Sequence, residues 1–170
     1  KFLMALVLNE EQRLLQDTAR DFFANHAPVA ALRQLRDTHD PVGYDPQLWL
    51  QMAEMGWASI VLPETYGGLD FGFLGLGVVL EESGRTLTAS PLFASAVVGA
   101  SAVLLGGSEA LKQSLLPDIA GGKLTLALAL EETHHHNPTY ISTTAKVQGE
   151  NFILNGSKCF VLDGHSADKL

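Results

Sequence analysis

The densest set of side chains able to do chemistry is the run Glu131-Glu132-Thr133-His134-His135-His136-Asn137. It places two carboxylates, a hydroxyl, three imidazoles and an amide side by side. Imidazole is a common zinc ligand, but consecutive residues on an extended loop point in different directions. No cysteine or second histidine pair stands at ligand spacing, so the run reads as a solvated turn or a ligand-contacting loop and not as a metal centre. Glu81 and Glu82 resemble an acid/base pair on paper. Neighbours on a helix diverge by about 100 degrees, however, so they read as a cap and a surface charge. Phe160 has two readings, a strand core residue and a stacking platform. His26, His39 and His165 read as surface residues.

The elements that must position these groups change character along the chain. Asn9, with Gln12 three positions on, has the form of a capping box, and a helix is expected from Glu10 to about Asn25 with Leu15, Ala19, Phe22 and Phe23 on one face. Pro28 suits the start of a second helix carrying Leu32 and Leu35, which frays into Asp37 to Asp40. Asp45 caps a third with Pro46 at its first position; Leu48, Trp49, Met52 and Met55 supply its core contacts and Gly56 its end. Trp57 to Leu62, closed by Pro63-Glu64-Thr65-Tyr66-Gly67-Gly68, reads as a tight connector. Gly72 to Ser83 and Leu92 to Leu105 are apolar nearly all round, which predicts helices surrounded by protein on most sides. Ser108 caps a last helix with Leu111, Leu115, Leu116 and Ile119 inward, ended by Gly121-Gly122.

Beyond Lys123 the period shortens. Leu124 to Leu130 is a strand-length apolar run. Ser142 to Gln148 and Phe152 to Leu154 flank a hairpin turn at Gly149-Glu150-Asn151, and Asn155-Gly156 turns the chain into a further strand from Cys159 to Leu162. Helices followed by strands indicate an α+β arrangement: a helical domain over residues 1–122 and the start of a β domain over 123–170. No glycine-rich nucleotide fingerprint is present.

With 170 residues, 46% of them hydrophobic, the chain can build one full core and the start of another. Eleven basic against nineteen acidic residues give a net charge of −8, which argues against nucleic-acid or anionic-membrane partners. The single Cys159 excludes an internal disulfide and fits a reducing compartment, the cytoplasm. Phe2 to Leu8 lacks a small-residue cleavage pattern and is not read as a signal peptide. Pro91 to Leu105 falls short of the ~20 apolar residues that cross a bilayer, and a buried helix explains it better.

Five ordered stretches carry a resemblance. They are Asn9-Glu10-Glu11-Gln12-Arg13-Leu14-Leu15; Pro63-Glu64-Thr65-Tyr66-Gly67-Gly68; Leu80-Glu81-Glu82-Ser83-Gly84; Leu116-Pro117-Asp118-Ile119-Ala120-Gly121-Gly122; and Leu154-Asn155-Gly156-Ser157-Lys158. In this order they resemble the acyl-CoA dehydrogenases. The resemblance implies an N-terminal helical domain and an incomplete antiparallel, barrel-like β domain; the family's C-terminal helical bundle, which packs over the flavin, is absent from these residues. It also implies FAD-dependent α,β-dehydrogenation of an acyl-CoA thioester, electron-transfer flavoprotein as acceptor, a role in fatty acid metabolism, and a homo- or hetero-oligomer, most members being tetramers. The catalytic base is expected beyond residue 170.

The same resemblance places a flavin cradle on Ala127, Ala129, Leu130, His136, Phe160 and Leu162. Leu130 falls where relatives carry a threonine, Glu131 matches their glutamate, Glu132 replaces their proline, and His136 falls at their serine. Leu162 again replaces a threonine, while the aromatic before it survives as Phe160. Two hydroxyl contacts to the flavin are thereby lost, which keeps open an alternative: a flavin-poor partner subunit of a heteromeric enzyme, or a non-catalytic domain of the same fold.

Overall fold

Asn9 sets where the first helix begins. Its side chain accepts from the Gln12 backbone N–H at 2.8 Å while the Gln12 side chain accepts from the Asn9 N–H at 3.0 Å, so two orphan donors of the helix start are satisfied reciprocally. The protein is seen in a computed structural model that describes residues 7–170; most of the Phe2 to Leu8 segment lies outside the described residues. Helix α1 spans Glu10–His26, and Ala19 and Phe23 of its predicted stripe are fully buried. Helix α2, Val29–Asp37, follows Pro28, and α3, Pro46–Glu54, is capped by Asp45, whose carboxylate accepts from Gln47 N–H at 2.8 Å. Gly56 closes α3 with φ +80°, and a Cβ there would come within 2.6 Å of Leu69 Cδ1. Only glycine both takes this conformation without strain and leaves Leu69 its place.

Short 3-10 turns at Trp57–Ser59 and Glu64–Tyr66 make up the expected connector. The Tyr66 hydroxyl donates to the Glu109 carboxylate at 3.0 Å, tying this connector to the last helix. Helix α4 spans Gly72–Arg85; a π-helical segment, Leu92–Gly99, runs directly into α5, Ala100–Gly106; and α6 spans Glu109–Ala120. These are the six α-helices among the described residues. Helix α1 packs along α4. The larger part of the core gathers Phe23, Trp49, Met52, Trp57, Ile60, Leu76 and Leu92, and the smaller gathers Leu62, Ala100, Val103, Leu116, Ile119 and Leu126. Trp49 Nε1–H donates to the Gly122 carbonyl at 3.0 Å, so α3 is bonded to the chain just past α6.

Three expectations for the helical part are corrected. The apolar segments at 72–83 and 92–105 are not enclosed on most sides: Phe73, Leu74, Phe93 and Leu105 are exposed, Leu105 by 89%. All-round apolarity records that a face favours burial, and no described residue covers these faces. Leu111 on α6 is also exposed. Glu82, read as a surface charge, is fully buried and held between Arg20 and Arg85, each at 3.0 Å. Charge alone does not reveal burial when one of the two neutralising partners lies 62 residues away in sequence.

Past residue 123 the expected hairpin forms, with Asn151 in its second strand instead of its turn. Strands β1, Thr144–Gln148, and β2, Asn151–Asn155, pair antiparallel from Thr144↔Asn155 to Gln148↔Asn151, leaving Gly149-Glu150 as a two-residue turn with Gly149 at φ +63°. The strands expected at Leu124 to Leu130 and Cys159 to Leu162 do not form. The first makes only a parallel bridge, Leu126↔Lys169, and the second is interrupted at Phe160, whose φ is +52°. Both runs have strand-like composition, but a ladder needs a paired neighbour, and a left-handed residue breaks the pleat. The β part of the described residues is therefore one two-stranded antiparallel sheet with two irregular segments beside it.

Candidate cofactor and acyl site

Glu132 organises the loop that carries the chemistry. Its side chain is only 1% exposed. It accepts from the Ser142 backbone N–H at 2.6 Å and the Ser142 hydroxyl at 2.5 Å, from the Thr143 N–H at 3.2 Å, and from Lys158 Nζ at 2.8 Å. The Lys158 ammonium, then the Ser142 and Thr143 donors, hold this carboxyl far below the usual carboxylate range. Lys158 Nζ also donates to the Leu130 carbonyl at 3.1 Å. One ammonium thus fixes the entry of the 131–143 loop and ties it to the segment that follows Asn155-Gly156.

Glu131 turns the other way, as alternate residues of an extended run do. It accepts from the Asn137 N–H at 3.0 Å and lies 2.6 Å from His136 Nδ1. The Asn137 N–H first, aided by His136, lowers its carboxyl below the usual range. His136 itself is 81% exposed, so the triple-histidine run is folded back on a carboxylate at the surface. The His134 ring meets Phe160 edge-on with centroids 6.2 Å apart. The Cys159 N–H donates to the Glu131 carbonyl at 2.8 Å, so the segments on either side of Glu131 and Phe160 lie against each other. Among the described residues no group of three or more His, Cys, Asp or Glu is placed to hold a metal ion.

The six residues named for a cradle differ in exposure. Leu130, Phe160 and Leu162 are exposed, with Phe160 the most open of the three, and the His136 side chain is exposed as well. Phe160 is exposed and lies outside the two strands, so the strand-core reading does not hold. Its left-handed φ is a conformation that costs a bulky residue on the order of 1–3 kcal/mol and that clusters at functional sites. Ala127 is buried, its N–H bonded to the Lys169 carbonyl at 3.0 Å. Ala129 is half-buried beside Val161 and Lys158.

Sequence reading missed a cavity. Between α5, α6 and the run Leu126–Leu128 lies an apolar cavity of about 530 Å³ that is open to solvent, with Gly99, Ala102, Val103 and Gly106 on one wall and Leu111 and Leu115 on another; Ala102, Gly106, Leu111 and Leu128 are exposed. Leu128 lines this cavity and stands two residues before the exposed Leu130, so one short run borders both the cavity and the Phe160 face. The signal that could have found it is the glycine content of the 92–107 run, since glycines in an apolar helix remove the side chains that would fill a wall.

Comparison with known proteins identifies the family. Residues 9–123 match the family described as "Acyl-CoA dehydrogenase, N-terminal domain". The chain is 34% identical over 164 residues to cyclohex-1-ene-1-carbonyl-CoA dehydrogenase of Geobacter metallireducens, covering 95% of this chain and 42% of that protein. It is 30% identical over 166 residues to the mitochondrial isovaleryl-CoA dehydrogenase of Bos taurus, covering 96% and 38%. The chain therefore spans about two fifths of the length of these relatives. Among solved structures, a glutaryl-coenzyme A dehydrogenase in complex with glutaryl-CoA superposes with a TM-score of 0.80 at 31% identity, covering 97% of this chain and 42% of that one. The ChsE4-ChsE5 complex of Mycobacterium tuberculosis gives 0.83 at 26% (97% and 44%), and an acyl-CoA dehydrogenase of Bacillus anthracis complexed with FAD gives 0.78 at 25% (91% and 27%). With well over half of its residues matched to one family and the helical arrangement shared, the chain belongs to the acyl-CoA dehydrogenase family.

Proposed function

We propose that this chain is the acyl- and flavin-facing part of an enzyme that removes hydrogens from the α and β carbons of an acyl-CoA thioester, the base coming from outside residues 1–170. The observation that carries this reading is the Leu126–Leu130 run, which lines an apolar cavity, ends at the exposed Leu130 and is joined just beyond it to the Phe160 segment by the Cys159 N–H to Glu131 carbonyl bond. An acyl chain in the cavity and a planar ring against Phe160 would then both border the Leu126–Leu130 run, and holding two reactants on one element is what lets transfer proceed without diffusion. FAD, when bound, supplies the acceptor for the β hydride.

The residues fit that cofactor in shape. Leu130, Phe160 and Leu162 offer apolar surface to an aromatic ring system, the His136 side chain is exposed as well, and Ala127 and Ala129 are more buried. Neither leucine offers a hydroxyl to the ring's polar edge, which leaves backbone groups for that task. Each missing hydroxyl bond lowers affinity by about 1 kcal/mol, a loss that weakens binding without abolishing it. Lys158, by holding the Leu130 carbonyl and Glu132, keeps the two segments in register for a planar ligand. Glu131 and Glu132 are both committed to hydrogen bonds and neither is free to act as base. Electron-transfer flavoprotein as acceptor, oligomeric assembly and a reducing, cytoplasmic setting for the free Cys159 belong to the same proposal. No described helix is long and apolar enough to cross a membrane.

Leu130 and Leu162 favour one second reading, a flavin-poor subunit that completes its active site with a different polypeptide. One similar structure is itself a complex of two differently named chains. To test the main reading, the whole protein carrying this chain is incubated with acyl-CoA thioesters and a chemical electron acceptor, and products are weighed by mass spectrometry. The expected product is an enoyl-CoA lacking two hydrogens. Turnover that appears only on adding a second polypeptide supports the partner reading, and no turnover in either case contradicts both.

A further inference from the structure

Alternate N–H groups of an extended run point to opposite edges. In the run that opens the β part, those of Thr125 and Ala127 turn toward residues 168–169: Thr125 donates to the Asp168 carboxylate at 2.7 Å and Ala127 to the Lys169 carbonyl at 3.0 Å. The Leu126 N–H turns the other way, where no strand lies among the described residues, and donates to the Ser95 hydroxyl at 3.1 Å. Ser95 is fully buried and stands 31 residues earlier in the chain. Resting on the acyl-CoA reading above, we propose that Ser95 is a positioning residue for the hydrogen transfer. By holding the Leu126 N–H it sets where the Leu126–Leu130 run lies between the acyl cavity and the Phe160 segment.

The device is built into the π-helical segment Leu92–Gly99. There the Ser95 carbonyl accepts from the Ala100 N–H five residues on, the wide turn of a π-helix, and such turns are rare and recur at functional sites. One turn after Ser95, Gly99 lets the run close in: a Cβ there would come within 2.5 Å of Leu126 Cβ. Leu126 is thus seated on one segment by two contacts, its N–H on Ser95 and its side chain over Gly99. Without the hydroxyl, the N–H is left buried and unpaired, a state that folded chains avoid. A run that shifts to regain a partner carries Leu128 in the cavity lining with it, and pulls on the Glu131 carbonyl that bonds the Phe160 segment. Misplacement of reacting groups by about 1 Å costs up to about a hundredfold in rate.

The test compares the whole protein, loaded with FAD, with its Ser95→Ala variant. Hydrogen exchange, resolved to single amides by mass spectrometry, reads the bond itself. Exchange at Leu126 is expected to quicken by about tenfold or more while Ala127, bonded to Lys169, keeps its rate. Anaerobic bleaching of the flavin by butanoyl-, octanoyl- or cyclohexanecarbonyl-CoA, whichever is fastest, is expected to slow by about tenfold or more, with the dissociation constant of that thioester within about threefold. An unchanged Leu126 exchange rate, equal quickening at Ala127, an unchanged bleaching rate, or thioester binding weakened as much as the rate overturns the inference. If thermal unfolding shows Ser95→Ala to be misfolded, Ser95→Cys, whose sulfur is a weak acceptor, gives the same comparison with the same outcomes. A flavin that none of the three thioesters bleaches in the unsubstituted protein overturns the acyl-CoA reading and this inference with it, even where Leu126 exchange responds to the substitution.

Discussion

Lys158 does at one point what a strand ladder does along its length: it joins the Leu130 carbonyl and the Glu132 carboxylate to the segment bearing Phe160. Removing it strands a buried carboxylate, which is more damaging than losing a surface pair. The folded state depresses the Glu132 carboxyl, so its contribution to stability is complete above the ordinary value of 4.5 and falls away as the pH drops below that value. Lys158→Met is expected to lower the thermal midpoint at about pH 7 and to make it fall less as the pH drops below 4.5, because the Glu132 carboxyl is then less depressed in the folded state; melting curves taken down to about pH 3 measure both. An acid profile identical to that of the unsubstituted protein would contradict the assigned pairing. Sequence reading placed Glu131 at the family's glutamate and gave Glu132 no partner. The two carboxylates are neighbours, and only the folded path of the 131–143 loop decides which of them turns toward Lys158.

At the scale of elements, the parts governed by local chemistry were legible and the parts governed by distant neighbours were not. The Asn9 cap, Pro46 at its helix start and the Gly56 stop each depend on residues within a few positions and each stands where the sequence placed it, as does the hairpin turn apart from Asn151, which opens β2. The expected strands at 124–130 and 159–162 had the right composition but depend on pairing partners far along the chain. The π-helical segment Leu92–Gly99 left no mark in the sequence beyond its apolarity. Gly68 belongs to the local class: a Cβ there would overlap the Leu62 carbonyl in the connector. Gly68→Ala is expected to destabilise the fold by about 1–3 kcal/mol, read from denaturant midpoints. A loss below about 0.5 kcal/mol, the range of ordinary surface substitutions, would mean the connector is not packed as described.

Across the whole molecule, α5 and α6 supply two walls of the cavity, and the segments after residue 123 supply the rest of its lining and the Phe160 face. Neither is a site alone. The family was readable from five short stretches, whereas the cavity was not, because it arises from side chains that are missing at Gly99 and Gly106 and from the approach of Leu126 across the chain. Leu130 and Leu162 concentrate the functional question: whether an apolar face without hydroxyls still holds the flavin. The most direct measurement is the visible absorbance of the whole purified protein before and after an acyl-CoA is added without oxygen. The account predicts bound flavin in stoichiometric amount that bleaches with the thioester. A folded protein that stays colourless when supplied with FAD, or whose flavin does not respond to any acyl-CoA, would contradict it.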